Sequence, residues 1–400
     1  MVRPLRLVLI ADTFPPLRTS GAVQLRDLSR ELVRQGHDLT VMLPAADLEE
    51  EWQLEQLDGV RVLRLKAPRT KDIDYIRRTI GEFLMPFFMR HYLKRSPLAN
   101  VKWDGVVWYA PSIFHAPLVS SLKKASRCKG YLIIRDIFPE WAVDMGLMGR
   151  GLPYRFFDTV ARYQYSVADI IGVQTPGNCS HFETWQQHPA KKLEVLQNWL
   201  DKPANSPSSI RIAETSLSGR KIFVYAGNMG IAQGMDILLD LAERLTARSD
   251  VGFLFVGRGS DAQRLRNISQ ARKLTNVLFF DEIHPDEIPD LYAQCHIGIV
   301  ALDPRHKSHN IPGKFLTYMQ SGLPVLANVN AGNDLVGMIR REQVGLACES
   351  NQLNEIESLA EDLLRRIESD VAMPRRCRAL FEREFSAEQA ARQIVSALTI

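Results

Sequence analysis

The 400-residue chain has only five cysteines, an odd number with no C-x-x-C pair among them. That argues against a disulfide framework or a cysteine zinc site, and for a reducing compartment. Nowhere does it carry the roughly eighteen consecutive apolar residues that a membrane-crossing helix needs. The apolar run at residues 5–11 is too short for a signal-peptide core and is read as a first strand. Neither sign of charge dominates: 50 Lys and Arg face 46 Asp and Glu, a formal excess of +4, so distribution matters more than sum. Tandem short repeats are also missing, which excludes a solenoid. What remains is an ordinary globular composition, 46% hydrophobic and 24% charged, in a chain too long for one compact core.

Strand-like apolar runs alternate with amphipathic stretches from end to end, the pattern of parallel sheets with crossover helices. The first half predicts strands at 6–12, 38–43, 60–65, 105–109, 131–135, 170–174 and 193–197. The second predicts them at 221–226, 252–256, 277–280, 297–301 and 324–327. Residues 201–209 (Asp-Lys-Pro-Ala-Asn-Ser-Pro-Ser-Ser) are polar, proline-rich and aperiodic, and are read as a linker. The expected class is α/β: two Rossmann-like domains, 1–200 and 210–385, facing each other across a cleft. The final stretch, 386–400, is helical and expected to pack back on the first domain.

The densest chemical signal is glycine. Tyr225-Ala226-Gly227-Asn228-Met229-Gly230, then Gln233-Gly234, sits between an apolar strand and a helix whose Ile237, Leu238, Leu241 and Leu245 share one face. Such a turn aims bare backbone N–H groups and a positive helix end above the sheet, the preferred seat of a phosphate. A nucleotide diphosphate at Gly227 is one reading and an ordinary strand–helix turn the other. Gly21 follows the first strand in the same way. Gly257-Arg258-Gly259 ends another strand and either flanks the nucleotide or is a plain turn. Asp136 follows Leu132-Ile133-Ile134 and so lies at a strand's carboxyl end, with Arg135, Glu140 and Asp144 nearby. Asp136 or Glu140 either orients or deprotonates an acceptor hydroxyl, or Asp136 and Arg135 form a structural ion pair. In the loop 303–310, His306 and His309 lie three apart. No carboxylate pair or cysteine completes a metal site there, so a solvated basic loop is expected.

Several of these residues, in this order, resemble family 4 glycosyltransferases of the GT-B fold: Phe14-Pro15-Pro16, Gly21, Gly36-His37, Gln197-Asn198-Trp199 and Ser321-Gly322-Leu323-Pro324-Val325-Leu326. Arg135-Asp136-Ile137-Phe138-Pro139-Glu140, residues 227–234 and Pro312-Gly313-Lys314 look most like the branch holding bacterial N-acetyl-fucosamine transferases of surface polysaccharide assembly. The resemblance implies a retaining, metal-independent enzyme with no cofactor, using a nucleotide-sugar donor, here UDP-linked, and a polyprenyl-diphosphate-linked saccharide acceptor. It also implies departures. Asn228 and Gln233 stand where the family has Arg and Lys, His309 and Thr317 replace its two glutamates, and Arg135 replaces a histidine. Charge for the leaving diphosphate must then come from elsewhere, and Lys314, opening a helix after Gly313, is the candidate; the alternative is a lysine that only solvates its helix. Rival readings are a UDP-sugar 2-epimerase of the same fold and a non-catalytic nucleotide-sugar-binding scaffold.

Residues 69–95 place Phe83, Leu84, Met85, Phe87, Phe88 and Met89 between Arg69, Lys71, Arg77 and Arg78 on one side and Arg90, Lys94 and Arg95 on the other. Cations bracketing apolar bulk suit an anionic membrane surface, with Pro86 dividing the segment into two short helices. A core helix with a basic outer side is the alternative. The aliphatic interleaving argues against a nucleic-acid partner. The expected location is cytoplasmic, peripheral to the inner face of the membrane.

Overall fold

The computed structural model describes residues 3–17, 19–203, 206–230, 233–303 and 310–399. The chain forms two compact units, Met1–Asp201 with Ala387–Ile400, and Lys202–Ser386.

The first unit is built on eight strands: β1 (Arg6–Ile10), β2 (Asp38–Ala45), β3 (Trp52–Leu57), β4 (Val60–Lys66), β5 (Gly105–Tyr109), β6 (Lys129–Ile134), β7 (Ile170–Val173) and β8 (Lys192–Val195). They lie in the order β3-β4-β2-β1-β5-β6-β7-β8, parallel throughout except for the β3–β4 pair. Alternate residues feed two cores, as a sheet covered on both faces requires. Leu7, Leu9, Val41 and Val107 pack under the helices Ser20–Arg34 and Ala387–Thr399. Val8, Ile10, Val106 and Trp108 pack on the opposite face, under Tyr75–Leu93 and Ala116–Ser126. The C-terminal helix lies close against β5, for a Cβ on Gly105 would stand 2.8 Å from Leu398 Cδ1. The helix Tyr75–Leu93 runs unbroken through Pro86, correcting the expected division into two. Burial of Gly81, Met85, Pro86, Met89 and Leu93 along one face offsets the hydrogen bond that proline forfeits.

The second unit holds β9 (Lys221–Ala226), β10 (Val251–Val256), β11 (Val277–Phe280), β12 (Ile297–Ala301), β13 (Val325–Asn328) and β14 (Gly345–Cys348). Their order, β11-β10-β9-β12-β13-β14, is wholly parallel and reverses direction between β9 and β12. A crevice opens outside the strands at such a reversal. Here β9 and β12 pair only through Ile297↔Phe223 and Gly298↔Val224 before the ladder stops. Tyr318 fills the gap. Its hydroxyl lies 3.1 Å from both the Val224 and Ile299 carbonyls, sharing its one proton between them. Its ring lies over Gly298, where a Cβ would stand 2.6 Å from Tyr318 Cγ. That close approach fixes the helix Gly313–Ser321 over the strand reversal. The expected linker is tied down at its far end: the Ser208 and Ser209 N–H groups donate to Asp290 (2.8 Å) and Glu287 (2.6 Å).

Candidate active site

At the carboxyl end of β9 the chain folds back on the loop after β10. Gly227 N–H donates to Val256 O (2.8 Å) and Met229 N–H to Arg258 O (2.8 Å). Only glycine fits opposite. At Gly257 (φ +141°) a Cβ would stand 2.1 Å from Gly227 O, and at Gly259 (φ +156°) 2.2 Å from Met229 O. Gly230 N–H donates to Gln233 Oε1 at 2.9 Å, and Asn228 Nδ2 approaches the same oxygen at 3.3 Å. The expectation of a row of bare amides therefore needs correction. Gly227, Met229 and Gly230 already have protein acceptors, and Gln233 spends its side-chain oxygen bracing the loop. The Asn228 N–H has no acceptor among the described residues. Gly234 (φ +55°) lies against the exit from β12, with a Cβ there 3.1 Å from Asp303 Cα.

Above this loop stands Lys314, in the first turn of a helix that no side chain caps. Its Nζ is 3.1 Å from the position of a Cβ on Gly227 and 4.4 Å from the centre of the Tyr225 ring. No carboxylate pairs with it among the described residues, and burial alone pulls its pKa down to about 8. A half-buried ammonium without a carboxylate partner among the described residues, over a glycine loop and beside an open helix N-terminus, has the chemistry to attract an anion. Tyr225, whose apolar surroundings in the sequence read as a core strand position, joins this candidate site. Its ring supports the ammonium, and its hydroxyl donates to Asn228 O at 2.6 Å, fixing the loop.

Other second-unit candidates are placed differently. The Arg258 guanidinium pairs with Glu282 at 2.8 Å and is largely exposed. Thr317 donates its hydroxyl to Gly313 O (3.3 Å), one turn back on its own helix. Gly313 is exposed with open space where a Cβ would be. His309 lies outside the described residues, as does His306. Among the described residues no cluster of His, Cys, Asp and Glu is placed to hold a metal ion.

The remaining candidates belong to the first unit. Gly21 lets the helix Ser20–Arg34 start close to the sheet; a Cβ there would be 3.3 Å from both Thr13 Cγ2 and Tyr109 Oη. Arg135 does not pair with Asp136. It donates to Ser20 Oγ (2.8 Å), to Tyr109 Oη (3.1 Å) and to Gln24 Oε1. Gln24 and Gln174 both donate to Asn198 Oδ1, at 3.1 and 2.8 Å, while Trp199 Nε1 donates to Gln24 O at 2.7 Å. Asn198-Trp199 thus locks the carboxyl edge of this sheet. Asp136 makes no hydrogen bond or ion pair among the described residues. Burial raises its pKa, against the opposing charge of Arg135. A carboxylate so disposed suits a proton acceptor. Glu140 instead accepts from Tyr154 Oη at 3.0 Å, a structural engagement that Asp136 lacks.

The strand reversal in the second of two Rossmann-like units is shared with solved structures of GT-B glycosyltransferases. The chain is a glycosyltransferase of the GT-B fold. Its residues 220–369 match the model of the family described as Glycosyl transferases group 1. It is 25% identical over 334 residues to the colanic acid biosynthesis glycosyl transferase WcaI of Escherichia coli (strain K12), covering 74% of this chain and 76% of that protein. It is 22% identical over 249 residues to the glycosyltransferase WbjE of Pseudomonas aeruginosa, covering 60% and 61%. Among solved structures, Anabaena Alr3699/HepE in complex with UDP shares the fold, with TM-score 0.69 at 15% identity over 99% of this chain and 100% of that one.

Proposed function

We propose that the chain transfers a sugar, an N-acetylated deoxyhexosamine, from a UDP-sugar to a polyprenyl-diphosphate-linked saccharide in surface polysaccharide assembly, with retention of anomeric configuration. The observation that carries the reading is Lys314, without a counter-ion, over the Gly227 loop. The UDP in the HepE structure and the colanic acid role named for WcaI support the donor and the pathway class. As the anomeric C–O bond breaks, its electron pair goes to the UDP β-phosphate, whose new charge meets Lys314, Asn228 N–H and the first turn of helix Gly313–Ser321. The acceptor oxygen bonds to the anomeric carbon, and its proton goes to Asp136 or to the departing phosphate. Lys314 supplies the charge that a metal would otherwise bring. The enzyme works at the inner face of the cytoplasmic membrane, on the surface formed by residues 69–95.

UDP release dependent on added acceptor tests this reading. Inversion at sugar C2 without any acceptor, with the product still a UDP-sugar, would indicate the epimerase. Binding without turnover would indicate the scaffold.

A further inference from the structure

The helix Tyr75–Leu93 buries one face in the first unit, yet its outer side carries large apolar side chains among its arginines. Tyr75 is 85% exposed, Phe83 and Phe87 are each 46% exposed, and Ile76 and Ile80 are also open. A helix on an ordinary soluble surface carries charge at such positions. A segment distant in sequence adjoins it. The loop 145–152 reads Met-Gly-Leu-Met-Gly-Arg-Gly-Leu and exposes Leu147 at 71% and Leu152 at 79%. Phe156, just beyond, meets Phe83 at 6.4 Å between ring centres, and Phe157 at 5.3 Å. Phe157 meets Phe138 at 5.1 Å, and Phe138 meets Trp141 at 6.2 Å. One run of rings joins the helix to both flanks of the loop, Phe156 after it and Trp141 before it.

We propose that the outer row of helix Tyr75–Leu93 and the loop 145–152 form a single docking face for the interface of an anionic bilayer, the loop entering the headgroup boundary. The proposal deepens the lipid-linked acceptor reading and rests on it for its purpose. Charge selects this occupant. Residues 69–95 hold seven Lys and Arg against three Asp and Glu, and residues 145–157 hold Arg150 and Arg155 with no carboxylate. The loop's backbone suits a poorly hydrated setting. The N–H groups of Leu147 and Met148 both donate to Ala142 O (2.9 and 3.2 Å), that of Gly146 to Val143 O (2.9 Å), and that of Gly151 to Gly149 O (2.8 Å). Its apolar side chains project outward while these donors stay satisfied within the protein.

Sedimentation of the full chain with phosphatidylglycerol-containing vesicles and with pure phosphatidylcholine vesicles tests this. The wild type should partition preferentially onto the anionic vesicles. The Leu147→Gln/Leu152→Gln variant and the Phe83→Gln/Phe87→Gln variant should each partition at least tenfold less, with UDP affinity unchanged because all four positions belong to the first unit and the Gly227 loop to the second. Wild-type partitioning by the loop variant overturns the proposal. So does self-association of the wild type, in the absence of lipid, that both variants abolish, since the face would then belong to a second copy. Absence of vesicle binding alongside normal acceptor-dependent turnover removes the docking face and leaves the transferase; lost turnover with intact vesicle binding does the reverse.

Discussion

Titrating UDP affinity from about pH 7 to about pH 10 reads the charge on Lys314, because burial brings that ammonium from its ordinary 10.5 down to about 8. The diphosphate binds the protonated lysine better, so binding raises the lysine's pKa and affinity falls as pH climbs through about 8. Each further pH unit should weaken UDP by about tenfold, roughly 1.4 kcal/mol, for as long as the complex keeps the proton. Unfolding runs the other way for this group. Between about 8 and 10.5 the unfolded lysine holds a proton that the free folded one has lost, so its contribution to stability rises with pH. Weakened binding in that window is therefore not unfolding in disguise. A unit charge about 4 Å from a phosphate, at an effective dielectric of about 20, is worth roughly 4 kcal/mol. Lys314→Met, which keeps the stem and loses the charge, should then bind UDP about a hundred- to a thousandfold more weakly, with the basic fall gone. Calorimetry in two buffers of different ionisation heat would show proton uptake on binding in the wild type alone. Identical affinities and pH profiles for the two proteins would refute the assignment.

Other residues give further expectations. Tyr225→Phe keeps the ring beneath Lys314 and removes the bond to Asn228 O, so the pH profile of UDP binding should persist while affinity drops about three- to tenfold, on the scale of one hydrogen bond. Asp136→Asn should lower kcat by about a hundredfold or more and abolish an acidic limb lying above the usual carboxylate range; Glu140→Gln should leave the limb in place and cost about 1 kcal/mol of stability by denaturant titration. Gly298→Ala drives a methyl into the buried Tyr318 ring, so a loss of about 1–3 kcal/mol should appear in urea unfolding, together with weaker UDP binding as helix Gly313–Ser321 shifts.

Much of the architecture is legible in single stretches of chain. Residues 105–109, 222–226, 277–280 and 297–301 are apolar runs closed by turn residues; β5, β11 and β12 begin and end where those runs do, and β9 starts one residue earlier, at Lys221. β3 escapes such reading because Trp52-Gln53-Leu54-Glu55-Gln56-Leu57 is a polar, partly exposed edge strand, antiparallel to β4. β14 is only four residues long. The site is less legible because its contacts are not local. Glycine spacing located the loop at Gly227, but Val256 O and Arg258 O, which occupy two of its amides, come from the next strand and its loop. Tyr225 reads as core until the chain returns above it with Lys314. The bond between Gln24 and Asn198 spans 174 positions. The outward row of helix Tyr75–Leu93 was visible as composition, whereas its junction with Phe156 depends on tertiary packing.

The proposed reaction puts the donor's diphosphate on the β9 loop, under the charge of Lys314. A crystal structure of the protein with UDP tests it most directly. A phosphate oxygen should lie about 2.8 Å from Lys314 Nζ, with another at hydrogen-bond distance from the Asn228 N–H. UDP seated with its diphosphate away from both, or Lys314 left on Tyr225 without touching the nucleotide, would contradict it.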